Sequence, residues 1–239
     1  MKKLIILILT LTLMSCAYDD KDLVRVFYYE SDALDTKIDF FAYIPQRADS
    51  PVPVVYFLNN LRESIDFTHD QINWQKQANQ HSMIIVIISA GANIFRDNQG
   101  VNALDYEDFV LEIADIIDNT FLTRTDRHSR GISGVGTGGG GAISIANNNP
   151  DLFGYVSSLG ANLNGYDLKN LESLSNLDIL LSVGLQDINL EENSSLHEEL
   201  ETLEIDHIYH EQEGAGNWNY WKQIIGEHLQ FHSDLFKNN

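Results

Sequence analysis

One cysteine, Cys16, occurs in the whole chain, so no intrachain disulfide and no paired-cysteine metal site can form. Long apolar runs are also scarce. Residues 4–14 (LIILILTLTLM) make an unbroken stretch of eleven. A membrane-spanning helix needs about 20, so this segment does not cross a bilayer. Basic residues number 15 against 35 acidic ones, a net charge of −20. Such a surface repels phosphate backbones and anionic lipid headgroups, which excludes nucleic acid as a partner. No period of twenty to fifty residues repeats, which excludes a solenoid or propeller. No H-E-x-x-H helix occurs, and no metal or cofactor is expected. What remains is 44% hydrophobic and 10% aromatic over 239 residues, enough to bury the core of one large domain.

Lys2 and Lys3 precede the apolar stretch, and Leu13-Met14-Ser15-Cys16 follows its end. This arrangement resembles a bacterial lipoprotein signal, in which the cysteine becomes the lipidated first residue. The resemblance implies a signal peptide over residues 1–15 and a lipid anchor on Cys16. It places the chain in the bacterial cell envelope, on the periplasmic or outer face of the outer membrane. Removing two lysines leaves 13 basic residues against 35 acidic, a net charge of −22. Residues 16–22, with the acidic cluster DDKD at 19–22, read as a solvated tether. Residues 23–239 then form one domain, since no linker divides them.

Within that domain VPVVYFL (52–58) and MIIVIIS (83–89) are continuous apolar runs. Runs without alternation predict strands buried on both faces, as in a parallel sheet. YVSSLG (155–160), DILLSVG (178–184) and DHIYHEQ (206–212) predict further strands, and residues 23–45 an antiparallel pair opening the sheet. Helices are expected over 70–80, 106–121, the run ending near Pro150, 193–203 and 219–236. In the second of these Tyr106, Phe109, Val110, Ile113, Ile116 and Ile117 recur at helical spacing. The alternation of strand and helix predicts an α/β, doubly wound, mostly parallel sheet with helices on both faces.

Residues 133–142, SGVGTGGGGA, lie between a strand and a helix. Gly134, Gly136 and Gly139 fit the dinucleotide fingerprint G-x-G-x-x-G, which lets a backbone approach a pyrophosphate. The position is wrong, because the motif falls past the middle of the chain. The next strand also ends without the acidic residue that would hold a ribose. The alternative is a nucleophile elbow, G-x-S-x-G, with glycine at the serine position.

The surrounding residues favour the elbow. DRHSRGISGVGTGGGGAISIANNNPDLFGYVSSLGA resembles the elbow region of the putative-esterase family of α/β-hydrolases. That family includes S-formylglutathione hydrolase, tributyrin esterase, and acetyl-xylan and feruloyl esterases. Its pattern R-x-I-x-G-x-S-M-G-G-x-G-A, followed by H-P-D-L-F, is matched at Arg130, Ile132, Gly134, Gly138, Gly139, Gly141, Ala142, Pro150, Asp151, Leu152 and Phe153. The resemblance covers most of residues 35–230 and implies the α/β-hydrolase fold.

Carried over position by position, the resemblance puts the nucleophile at Gly136 and the acid at Asp187. The family's histidine lies in G-x-H-x-W-x-x-W. Trp218 and Trp221 keep that spacing, and the histidine position falls on Gly216. The oxyanion strand, usually ending L-H-G, ends here Leu58-Asn59-Asn60, with the Thr137 N–H as the second element of that region. Ser133 and Thr137 offer hydroxyls nearby, but the first sits in the strand and the second is displaced by one residue.

The resemblance therefore implies an esterase-type domain without its serine and histidine, a disarmed enzyme. Its former cleft, lined by Asn59, Asn60, Asn217, Trp218 and Trp221, is expected to bind a glycan or other small neutral ligand. Two alternatives stand beside this reading. One is an active carboxylic-ester hydrolase with a displaced nucleophile and base. The other is a protein-interaction domain. Glycine also suits position 136 physically, because an elbow residue with a Cβ is held in sparsely populated backbone space at about 1–3 kcal/mol.

Overall fold

A computed structural model describes residues 24–46, 51–97, 104–168 and 170–238. The expected signal peptide, Cys16 and tether lie outside the described residues.

Eight strands form one sheet: β1 Val24–Ser31, β2 Thr36–Tyr43, β3 Val54–Leu58, β4 Ile84–Ile88, β5 Arg130–Val135, β6 Tyr155–Leu159, β7 Asp178–Gly184 and β8 Ile208–Gln212. Their order across the sheet is β1-β2-β4-β3-β5-β6-β7-β8. β1 and β2 pair antiparallel, β2 runs antiparallel to β4, and every later pairing is parallel. The expected doubly wound, mostly parallel sheet is what the chain forms.

The continuous apolar strands divide their side chains between two cores. Val54, Tyr56 and Leu58 of β3 enter one, and Val55 and Phe57 enter the other. Ile84, Val86 and Ile88 of β4 likewise oppose Ile85 and Ile87. A strand alternates its side chains between faces, so an all-apolar strand requires cover on both. Helices α3 (Tyr106–Thr120), α4 (Thr137–Asn148) and α5 (Leu190–Thr202) cover the first face. α1 (Ile65–His69), α2 (Trp74–His81) and α6 (Trp218–Lys237) cover the second.

One expected helix is shorter at its start. Residues 70–73 form a turn, and α2 begins only after Asn73, whose side chain accepts the Lys76 N–H at 2.8 Å. An asparagine that caps the helix in this way competes with helix continuation through it.

α6 carries two histidines, one turn apart, into the second core. His228 Nε2 shares a 2.9 Å hydrogen bond with Ser182 Oγ of β7. His232 Nε2 shares one of 3.0 Å with Ser157 Oγ of β6, which meets Ser133 Oγ of β5 at 2.8 Å. Both rings are fully buried, and burial pushes both pKa values down to about 3. They are therefore neutral in the folded chain. The unfolded chain takes up protons on them near pH 6.5, while the folded chain does not until about pH 3. Stability thus falls as pH drops below about 6.5, with a limiting slope of about 2.7 kcal/mol per pH unit for the pair. Burial raises the carboxyls of Asp39, Glu63, Asp97, Glu107 and Asp187, so these acids oppose the loss at lower pH. Thermal melts between pH 7.5 and 5.5 are expected to show a falling Tm. The double substitution His228→Gln and His232→Gln should flatten that dependence, whatever its effect on the Tm at pH 7.5.

Candidate active site

β5 ends at Val135 and α4 begins at Thr137, so the chain turns on Gly136 alone. Gly136 has φ +54° and ψ −119°, a conformation that residues with a Cβ rarely adopt. Neighbours pin it on both sides. Its N–H donates to the Leu159 carbonyl at 3.0 Å, and its carbonyl accepts from the Asn162 N–H at 2.9 Å. A Cβ on Gly138 would collide with the carbonyl oxygens of Leu58 and Asn59. The bare glycine lets the first turn of α4 lie directly on the carboxyl end of β3.

Three loops at the carboxyl ends of strands frame this turn. The first follows β3. Asn60 is half-buried, and its side-chain oxygen accepts the Thr137 N–H at 3.1 Å. That same oxygen stands where a Cβ on Gly136 would have to go. Glu63, also half-buried, lies in the same loop, and its N–H donates to the Asn60 carbonyl at 3.2 Å. Trp218 Nε1 donates to Glu63 Oε2 at 3.1 Å. Burial raises the Glu63 pKa, and the Trp218 donor partly offsets the rise. Asn59 lies inward, 1% exposed, with Nδ2 donating to the Glu63 carbonyl at 2.7 Å.

The second loop follows β7 and carries Asp187. Its Oδ1 accepts the Asn189 N–H at 2.9 Å, while Oδ2 is buried without a partner among the described residues. Burial pushes this carboxyl up from the ordinary range. The third loop follows β8 and brings Gly216 against that carboxylate. A Cβ on Gly216 would lie 2.6 Å from both carboxylate oxygens. Gly136, Asp187 and Gly216 thus all stand at the carboxyl edge of the sheet. In open α/β sheets that edge is where ligands bind.

Asp187 has no imidazole partner among the described residues. His197 and His207 pair with each other at 2.7 Å, His210 lies 3.1 Å from Glu227, and His228 and His232 serve the core. Ser133 is wholly buried against Ser157, beneath the turn and out of reach of any ligand. Thr137 is 5% exposed and contributes its N–H.

The tryptophans differ from expectation. Trp218 and Trp221 are 7% and 2% exposed and pack edge to face, with ring centroids 5.7 Å apart. The first turn of α6 buries both against the sheet, so neither presents a ring face to a ligand. Asn217 is exposed, but its Oδ1 caps α6 by accepting the Asn219 N–H at 3.0 Å. The residue missed by sequence reasoning is Glu63. Its only signal in the sequence is an acid three positions after Asn60.

A side chain at position 136 meets two obstacles, the positive φ and the Asn60 amide. Gly136→Ser is expected to destabilise the fold by about 2 kcal/mol. For a domain of this size that lowers the Tm by about 4–8 °C in a thermal melt. An unchanged Tm would show that the turn tolerates a side chain as built.

A family model described as "Putative esterase" matches residues 31–231. Solved structures match over most of their length. One is a ferulic acid esterase, 20% identical, with a TM-score of 0.78 over 89% of this chain and 98% of the other. Another is a fluorophosphonate-binding serine hydrolase of Staphylococcus aureus, 16% identical, TM-score 0.77, covering 89% and 98%. A third is an S-formylglutathione hydrolase of Agrobacterium tumefaciens, 18% identical, TM-score 0.74, covering 89% and 95%. At such identities the likeness is one of fold.

Proposed function

The chain belongs to the putative esterase family, and on that premise we propose that it is a lipid-anchored envelope protein whose domain does not hydrolyse esters by the serine route. The reading rests on one observation. The positions that would hold the nucleophile and the base are Gly136 and Gly216, and the space beside each is taken by Asn60 and Asp187 respectively. Acyl transfer through a serine needs a hydroxyl, a base to deprotonate it and free N–H donors for the oxyanion. Here the first two are bare backbone, and the Thr137 N–H already has an acceptor. Asp187 is left with a structural role, receiving the Asn189 N–H.

What this end of the sheet offers is amide and carboxylate chemistry, from Asn60, Glu63 and Asn217, while Trp218 and Trp221 are buried. A neutral polar ligand, a glycan included, suits that surface better than an anion does.

A fluorophosphonate probe labels serines activated by a neighbouring base. The full chain is expected to remain unlabelled and to leave p-nitrophenyl acetate unhydrolysed above the buffer rate. Labelling of any serine would overturn the reading. The anchor is tested separately. Expressed in a bacterial host, the chain should fractionate with membranes and take up labelled fatty acid, and Cys16→Ser should abolish both.

A further inference from the structure

His197 lies on α5 and His207 on the loop before β8, and the two imidazoles meet with Nδ1 of the first 2.7 Å from Nε2 of the second. Their hydrogen bonds assign the ring protons. His207 Nδ1 lies 2.8 Å from the Ile205 carbonyl, which can only accept, so that nitrogen carries a proton. In the neutral ring Nε2 of His207 is then bare, and the proton between the two rings belongs to His197 Nδ1. The lone pair of neutral His197 is left on Nε2. That nitrogen faces Glu201 Oε1, one helical turn on, at 3.8 Å. The ring is also held by its face, stacked on Tyr209 with centroids 4.3 Å apart and planes 17° apart. Tyr209 is pinned in turn, its hydroxyl donating to Glu211 Oε1 at 2.9 Å.

A lone pair turned toward a carboxylate sets two acceptors face to face, and a cation between them relieves the repulsion. A proton on Nε2 supplies the charge but not the span, since 3.8 Å is beyond hydrogen-bond reach. A metal ion supplies both. Zinc lies about 2.0–2.2 Å from an imidazole nitrogen or a carboxylate oxygen, so a movement of about half an ångström closes the pair on one ion. Glu201, its side chain 65% exposed, is free to make that movement. We propose that His197 Nε2 and Glu201 Oε1 form a surface site for a divalent transition-metal ion such as Zn2+.

His207 serves that site as a positioning residue, without touching the ion. A ligating imidazole donates its other N–H to a fixed acceptor, which orients the ring and raises its basicity. His197 already has that partner in His207, with the Ile205 carbonyl behind it. The i, i+4 spacing on a helix is the one by which H-E-x-x-H presents two ligands to zinc. No group of three or more candidate ligands occurs among the described residues, so water fills the remaining positions. An imidazole ligand favours Zn2+, Cu2+ or Ni2+ over Mg2+ and Ca2+. The site is independent of the turn at Gly136. β7 and β8 are parallel, so His207, which precedes β8, lies at the opposite edge of the sheet.

The test is titration of the full chain with Zn2+, followed by calorimetry and by the 15N resonances of the histidine rings. Zinc should shift His197 Nε2 saturably while Nδ1 keeps its proton, and Mg2+ at the same concentration should do neither. His197→Gln should abolish the tightest site. His207→Leu keeps both ligands and removes the acceptor, and should weaken that site by about tenfold or more. Glu201→Gln, on an exposed face of the helix, should weaken it by at least as much and stands in if His207→Leu fails to fold. No zinc-dependent change at His197, ligation through Nδ1 instead of Nε2, or native affinity in His197→Gln or Glu201→Gln would overturn the site. Native affinity in a folded His207→Leu would overturn the positioning role.

Discussion

A single backbone conformation, positive φ at Gly136, sets the geometry on which the rest of the carboxyl edge depends. The chain must leave β5 and enter α4 within one residue, and only the left-handed half of backbone space allows so sharp a turn. Hydrogen bonds to Leu159 and Asn162 lock that residue to β6 and the loop beyond it. The helix then starts so close to β3 that Gly138 cannot carry a side chain. From this follows the direction of the Thr137 N–H, an amide at the start of a helix with no intrahelical partner of its own.

An unpartnered donor in a buried place is unfavourable by about 1–3 kcal/mol, so the fold needs an acceptor there. In a site built for acyl transfer that acceptor arrives with the substrate. Here it arrives with the chain. Asn60 supplies the oxygen, the Glu63 N–H meets the Asn60 carbonyl, and Trp218 Nε1 donates to the Glu63 carboxylate. The same logic acts on the far side of the crevice. Asp187 has no imidazole partner among the described residues, and it meets the backbone of Asn189 on one oxygen and the bare Cα of Gly216 across its face. Burial without a cation raises the carboxyls of both Asp187 and Glu63, the state expected of acids folded inward without a base to pair with them.

Local pattern carried most of the fold into view from the sequence. Unalternating strands such as Ile84–Ile88 can be satisfied only between two helical layers, and the structure gives them two cores. The glycine run after an apolar strand was legible as a turn because nothing but a close backbone approach uses so many glycines in one place. Contacts between loops distant in sequence were not legible. Nothing local says that Asn60 reaches Thr137, 77 residues away, or that Trp218 reaches Glu63, 155 residues away. The Trp218–Trp221 spacing was read as a cleft feature because spacing fixes a helix face and not what that face meets. In this fold it meets the sheet. The buried Ser182–His228 and Ser157–His232 pairs were invisible for the same reason. They are a reminder that a serine beside a histidine is chemistry only where a substrate can reach it.

On the reading proposed above, glycine at position 136 is a stable end point rather than a vacancy awaiting refilling. A hydroxymethyl group at 136 displaces Asn60 and strains φ. A Cβ at 216 would lie 2.6 Å from both Asp187 carboxylate oxygens, so a side chain there requires that carboxylate to shift. Neither alone yields catalysis, because nucleophile, base and acid act as a unit and the first of them without the others contributes almost nothing. On the reading proposed above, glycine at 136 leaves the turn unstrained and keeps Asn60 in place as the acceptor for a buried amide, which stability alone would retain.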